Sequence, residues 1–343
     1  MTASPLAIRR TALITSVGLD APSSCAAIRA KLTNPTETRF VDDEGAWLMA
    51  HAVPLGESWS GLAKLARLAA LAIDECLVDV PRDQWPQIPV LLCVAEHDRP
   101  GRQGGLDDRL FAEVERLLGA QFSDRSAIVA HGRVATPIAL ATARQLLADP
   151  LVTQVVVAGV DSLLSWPTLS VYLKADRLLT PINSNGFMPG EAAGAVLLGA
   201  PSAHAELRCT GVGFGIEPAH LDADLPLRGN GLAAAIELAL DDAGRQMHEL
   251  QFRMTDLSGE QYYFKESALA LGRTLRQLTP EFELWHPAES TGETGAASGL
   301  AMLAVADAAC RKGYAPGPDF IAHWANDSGR RAAAVLQFAR HPA

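Results

Sequence analysis

Val155-Val-Val-Ala-Gly-Val-Asp161, followed by Asp176-Arg-Leu-Leu-Thr-Pro-Ile-Asn-Ser-Asn-Gly-Phe-Met-Pro-Gly-Glu-Ala-Ala-Gly-Ala-Val-Leu-Leu198, is the stretch from which the fold is read. Residues 155–159 form an apolar run closed by glycine, which suits a strand covered on both faces. Gly186-Phe-Met-Pro-Gly190 is a turn, residues 193–198 are the strand that leaves it, and Gly199-Ala-Pro201 ends this half of the chain.

Working outward, residues 10–17 read as a strand, and Asp20-Ala-Pro-Ser-Ser24 caps a helix over 24–32. Between 61 and 77, Leu62, Leu65, Leu68, Ala69, Ala72, Ile73 and Cys76 recur every three or four positions, the stripe of an amphipathic helix. A buried strand at 88–94, a helix at 106–118, a strand at 127–130 and an alanine-rich helix at 136–148 complete the first run. The second run repeats the plan: strand 207–214, helix 231–243, strand 252–257, helix 266–278, a glycine turn, an alanine helix to Cys310, then strands 320–324 and 332–338. Alternating strands and helices predict an α/β fold with mixed sheets, and the repeated order predicts two similar halves, 1–204 and 205–343, with helices buried between them.

The 343 residues are 48% hydrophobic and 20% charged, inside the globular range, so disorder is excluded. A formal net charge of −10 argues against a nucleic-acid partner, which demands a basic face. No apolar run has the length of a membrane span and the first residues lack a signal-peptide core, so the expectation is a cytoplasmic protein. The five cysteines, Cys25, Cys76, Cys93, Cys209 and Cys310, are scattered and form no C-x-x-C pair, which predicts buried thiols and neither disulfides nor a metal site.

Three stretches resemble the β-ketoacyl-acyl-carrier-protein synthases of the thiolase-fold superfamily: the opening quotation, Gly213-Phe-Gly215 through Arg228-Gly-Asn-Gly231, and Gly292-Glu-Thr-Gly-Ala-Ala-Ser-Gly299. With the opening strand and helix, the likeness spans nearly the whole chain. It implies the thiolase fold, with two similar halves, mixed sheets and helices between them. It also implies an acylated cysteine at a helix N-terminus, where the dipole depresses a thiol pKa, two histidines for decarboxylation and condensation, and a supporting lysine.

Residue by residue, these functional positions have changed. The cysteine position falls on Gly132 in Ala130-His-Gly-Arg-Val134; the first histidine on Ser258 in Leu257-Ser-Gly-Glu260; the second on Glu293; and the lysine on Ala288. The family's Gly-Phe-Gly-Gly gate corresponds to Asn326-Asp-Ser-Gly329, where only the last glycine remains. Condensation needs an acylatable thiolate and donors for the enolate, so the resemblance implies a catalytically inactive relative without a cofactor. A cysteine introduced at Gly132 is expected not to restore condensation, even where it accepts an acyl group.

A rewritten site is the rival reading. His131, Gly132, Phe187, Ser258, Glu260, His286, Glu293 and Gly329 are the candidate pocket residues, with Gly132 facing Ser258 and Glu293, and Ser, His and Glu can form a hydrolytic set. Against it, no nucleophile-elbow spacing surrounds Ser258, and Glu293 has a simpler role in tying down the glycine turn. Gly101-Arg-Gln-Gly-Gly105 reads as a surface loop, because Asp107 and Asp108 oppose a phosphate; the seven arginines from Arg99 to Arg144 are interleaved with acids and read as a solvated face.

The preferred reading is therefore a binding scaffold, adaptor or partner subunit. The resemblance implies a homodimer paired through residues 155–158 or the neighbouring strand. It implies as partners an active synthase, a carrier protein, or a secreted effector or adaptor of the kind linked to type VI secretion cargo. The alternative is a 3-oxoacyl synthase or other acyl-thioester transferase or hydrolase with a rewritten site.

Overall fold

The computed structural model describes residues 4–57 and 59–339. The first run comprises β1 (Leu6–Ile14), α1 (Ala21–Arg29), a hairpin of β2 (Thr36–Val41) and β3 (Trp47–Ala50), α2 (Gly61–Cys76), β4 (Val90–Val94), α3 (Leu110–Leu118), β5 (Ala127–Ala130), α4 (Ala135–Leu146), β6 (Gln154–Ser162), α5 (Trp166–Lys174) and β7 (Glu191–Gly199). The second comprises β8 (Glu206–Ile216), α6 (Asn230–Ala243), β9 (Phe252–Thr255), α7 (Gln261–Thr274), β10 (Glu283–Trp285), α8 (Ala288–Thr291), α9 (Ser298–Arg311), β11 (Asp319–Ala325) and β12 (Arg330–Ala339).

Ten strands join in the order β10-β9-β11-β12-β8-β1-β7-β6-β4-β5. Leaving out the hairpin and numbering the strands of each run from one to five, both runs read 3-2-4-5-1. In each, the last strand is antiparallel to both its neighbours: β7 to β1 and β6, β12 to β11 and β8. The runs meet where Leu6–Ile8 pairs antiparallel with Leu207–Cys209.

Helices divide the molecule into layers. α2 and α3 cover one face of the first half-sheet, and α6 and α7 cover the outer face of the second. α4 and α9 fill the space between the half-sheets. α9 is apolar nearly all round, from Leu300 to Ala309, which is the pattern of a helix with protein on every side. Its close seating depends on two glycines of the opening quotation. A Cβ on Gly159 would lie 2.8 Å from Leu300 Cδ1, and one on Gly194 would lie 2.8 Å from Leu300 Cβ.

Local signals set the element ends. Asp20 Oδ1 accepts from Ser23 N at 2.6 Å to cap α1, and α3 and α6 end on left-handed Gly119 and Gly244. Four cysteines are buried, whereas Cys310 is half-buried at the end of α9.

The structure corrects several expectations. β1 starts at Leu6, not at residue 10, because a bulge between Ile8 and Arg10 lets a strand carry Arg9 and Arg10 to the surface. The hairpin, α5 and three-residue β10 were not predicted, being short and without clear periodicity. Of the strands expected to pair across a dimer, residues 155–158 are interior, because β6 is hydrogen-bonded to β4 on one side and β7 on the other, whereas β5, the strand before it in the chain, lies at the end of the sheet. The sheet ends among the described residues are β5 and β10.

Candidate functional site

Gly132 and Gly295 occupy matching places in the two runs. Each opens a 3-10 turn, over Gly132–Val134 and Gly295–Ala297, that leads directly into a buried helix, α4 or α9. Both have left-handed backbones, φ 55° and 52°, and glycine adopts this conformation without the clash an L side chain meets. The direction a side chain would take is filled at both by a carboxylate. A Cβ on Gly132 would lie 1.9 Å from Glu96 Oε2, and one on Gly295 would lie 2.0 Å from Asp161 Oδ2.

One arginine holds both acids. Arg99 donates from Nε to Glu96 Oε1 at 2.9 Å and from Nη2 to Glu96 Oε2 at 2.8 Å and Asp161 Oδ2 at 3.2 Å. Asp161 Oδ2 also accepts from Ala296 N at 2.9 Å, at the start of the α9 end of the site. Burial would raise Glu96, but Arg99 outweighs it and holds the carboxyl below its ordinary range.

A second cluster adjoins the first. Arg133, the residue after the glycine, donates to Asp327 Oδ1 at 2.8 Å and reaches Glu293 Oε2 at 3.5 Å, with its guanidinium 4.5 Å from the Tyr263 ring centroid. Arg177 donates to both oxygens of Glu260, at 2.7 and 2.8 Å, and to Asp327 Oδ2 at 2.7 Å. Tyr263 Oη donates to Asp327 Oδ1 at 2.5 Å. Burial works against the Asp327 carboxylate, yet Arg133, Arg177 and the tyrosine together hold its pKa well below the usual range. Between these groups remains a cavity of about 10 Å³, lined by Glu96, Arg99, Arg133, Arg177, Glu293 and Asp327 among others, which is too small for a substrate.

The sequence-derived pocket residues separate into those inside and those outside this network. Ser258 Oγ donates to Glu293 Oε2 at 2.8 Å, and Glu293 Oε1 accepts from Gly295 N at 2.8 Å, so the glutamate ties down the glycine turn. Glu260 joins through Arg177, and Phe187 packs edge-on against Tyr172 beneath the same guanidinium. His131 turns to Arg330, whose Nη1 lies 2.8 Å from its Nδ1. His286 pairs with Glu289 at 3.3 Å beside a different cavity. Gly329 accepts from Glu217 N at a turn, and Ala288 begins α8. The hydroxyl of Ser258 therefore has a carboxylate partner and neither His131 nor His286 beside it.

Glu96, Asp161, Arg177 and Asp327 were not singled out by the sequence reading, and Arg99 and Arg133, expected on a solvated face, are instead buried because their guanidinium groups pair with interior carboxylates. Asp161 and Arg177 stood within the decisive quotation, and Asp327 stood in the segment that replaces the glycine gate. Asp161 carried a signal, a carboxylate closing an apolar run, but the others stand among polar or charged neighbours and the pairing partners lie as many as 194 residues apart.

Asp256 lies at the rim of the network and accepts from Ala325 N at 3.1 Å. Burial pushes its carboxyl up to about 7, with Arg133 only partly opposing. The folded-state pKa exceeds the unfolded value, so this stabilising contribution is complete at low pH and is lost as pH rises toward 7. Asp256→Asn should therefore be more stable than the parent at pH 8 than at pH 4, by a difference on the order of 3–4 kcal/mol. Urea unfolding at the two pH values measures it, and a pH-independent difference would refute the assignment.

No family model and no curated protein matches the sequence. Solved structures do match. A chain of the ketosynthase ApeO in complex with its chain length factor ApeC, from Xenorhabdus doucetiae, is 14% identical with a TM-score of 0.76, and 98% of each chain is covered. A chain of the ishigamide ketosynthase/chain length factor gives 18% identity and a TM-score of 0.79 over 98% of this chain and 100% of that one. The AntDE:AntF complex, a type II polyketide acyl-carrier protein with its ketosynthase bound to the hexaketide, gives 13% and 0.79 over 98% and 100%. The chain thus has the thiolase fold in the form taken by ketosynthases and chain length factors.

Proposed function

We propose that this ketosynthase-like chain is catalytically inactive and serves as a protein-binding scaffold or partner subunit. The observation that carries the reading is the Glu96 carboxylate standing where a nucleophile's side chain would project from Gly132. A thiol is needed there for acyl transfer, and the nearest cysteine in sequence, Cys93, is fully buried in β4 with its pKa raised by burial. The functional halves are 1–204 and 205–343, and the unpaired edge of β5 is the surface on which a homodimer, or a heterodimer with an active synthase, would form. The complexes of ketosynthases with chain length factors and with a carrier protein support a protein partner of one of those kinds. An adaptor role for a secreted effector, in the cytoplasm, belongs to the same reading.

In this scheme the interior network keeps shape and takes no part in binding. A chain carrying Ser258→Ala and Glu293→Gln should complement deletion of its gene in the native host as the parent does. Glutamine can still accept from Gly295 N, so folding should persist, and circular dichroism checks it. A folded double variant that fails to complement would overturn the scaffold reading in favour of a rewritten active site.

A further inference from the structure

Of the cations lining the larger of the open cavities, 780 Å³ beside β2 and the start of α2, Lys64 is neutralised by Glu191, Arg99 by Glu96 and Asp161, and Arg102 by Asp107, which leaves Arg39 against the Phe40 ring. The second, of 460 Å³, joins two cations without a carboxylate partner among the described residues to an apolar floor. It lies where the sheet ends. β10 pairs with β9 on one side only, and the consecutive residues 283–287 line the cavity. Successive strand residues point to opposite faces, so a cavity touching all of them opens on the strand's unpaired edge.

The floor is apolar, made by buried Met254 and Val305. One wall is aromatic: Trp285 and Tyr314 lie 6.4 Å apart with their planes 20° from parallel. At the rim stand Arg29 and Lys31, which have no carboxylate partner among the described residues; Arg29 rests 4.1 Å from the Tyr314 centroid. The nearby acids are engaged, Glu283 accepting from the Trp285 indole at 2.6 Å and Glu289 paired with His286 at 3.3 Å.

Lys31 is also held in an unfavourable backbone. It follows α1 with φ 54°, the left-handed position that helices usually give to glycine, while Leu32 N donates back to Ala27 O at 2.9 Å. A lysine at this position sacrifices stability that glycine would supply, and what it adds is a cation over the cavity.

We propose that this cavity is a binding site for a small, flat organic acid, with its ring against Trp285 and Tyr314 and its carboxylate on Lys31 and Arg29. The volume falls within the range of small-molecule sites, and an apolar body with one charged end matches an apolar floor under a cationic rim. This site is separate from the Gly132 network and does not depend on the scaffold reading.

Calorimetry of the full chain with 1-naphthoate as probe, and with neutral 1-naphthamide as its isostere, tests the proposal. Naphthoate should bind roughly tenfold more tightly than the amide at low salt. Lys31→Gly should weaken naphthoate about fivefold while raising the melting temperature, a combination that a merely structural lysine would not give. Arg39→Glu, in the larger cavity, should leave binding unchanged. Absence of saturable naphthoate binding up to about 10 mM, equal affinity for acid and amide, or undiminished binding in Lys31→Gly would each overturn it.

Discussion

Arg133→Met should lower the free energy of unfolding by roughly 3–5 kcal/mol, the cost of taking one partner from a buried ion cluster. The side chain is 8% exposed and faces Asp327 and Glu293, with the Asp256 carboxyl also within its field. Without the guanidinium these acids retain a buried charge or take up a proton, and either outcome is unfavourable at neutral pH. Adding Asp327→Asn and Glu293→Gln to Arg133→Met should recover a large part of the loss, because it removes the uncompensated charges. Urea unfolding of the single and triple variants at pH 7 decides the matter. A single variant as stable as the parent would show that the network does not hold the interior together.

Gly132→Cys is the second large effect. A non-glycine residue at φ 55° costs about 1–2 kcal/mol. Its Cβ overlaps the Glu96 carboxylate, and displacing a buried neighbour adds about 1–3 kcal/mol. Condensation should not return, and the structure argues against acylation as well, since a thiol forced against a carboxylate resists ionisation and has no open space for an acyl chain. The single variant should be destabilised and resist iodoacetamide. Adding Glu96→Ala should relieve the overlap and expose the thiol to the reagent. Equal labelling of the single and double variants would contradict this account.

The contrast shows which parts of the molecule could be read from sequence. β6, β7 and α9 were legible because burial on both faces imposes apolar runs and close approach imposes Gly159 and Gly194. The place of Gly132 was legible because the strand, glycine and helix are consecutive. What fills the space beside it was not, because Glu96 arrives from the loop after β4, Asp161 from β6 and Asp327 from the turn between β11 and β12. A carboxylate in a loop carries no periodicity, and only the fold reveals its partner. The same limit explains His131 and His286: both lay close in sequence to pocket residues, but their side chains turn to Arg330 and Glu289.

The central claim, that no residue of this chain takes an acyl group from a thioester, is tested most directly by intact-protein mass spectrometry after incubation with acetyl-, malonyl- and longer acyl-thioesters on coenzyme A and on carrier protein. The parent chain should keep its unmodified mass with every donor, as should Ser258→Ala. A stoichiometric acyl adduct on the parent that is lost in Ser258→Ala, or in a variant of any one cysteine, would contradict the claim and identify the chain as an enzyme.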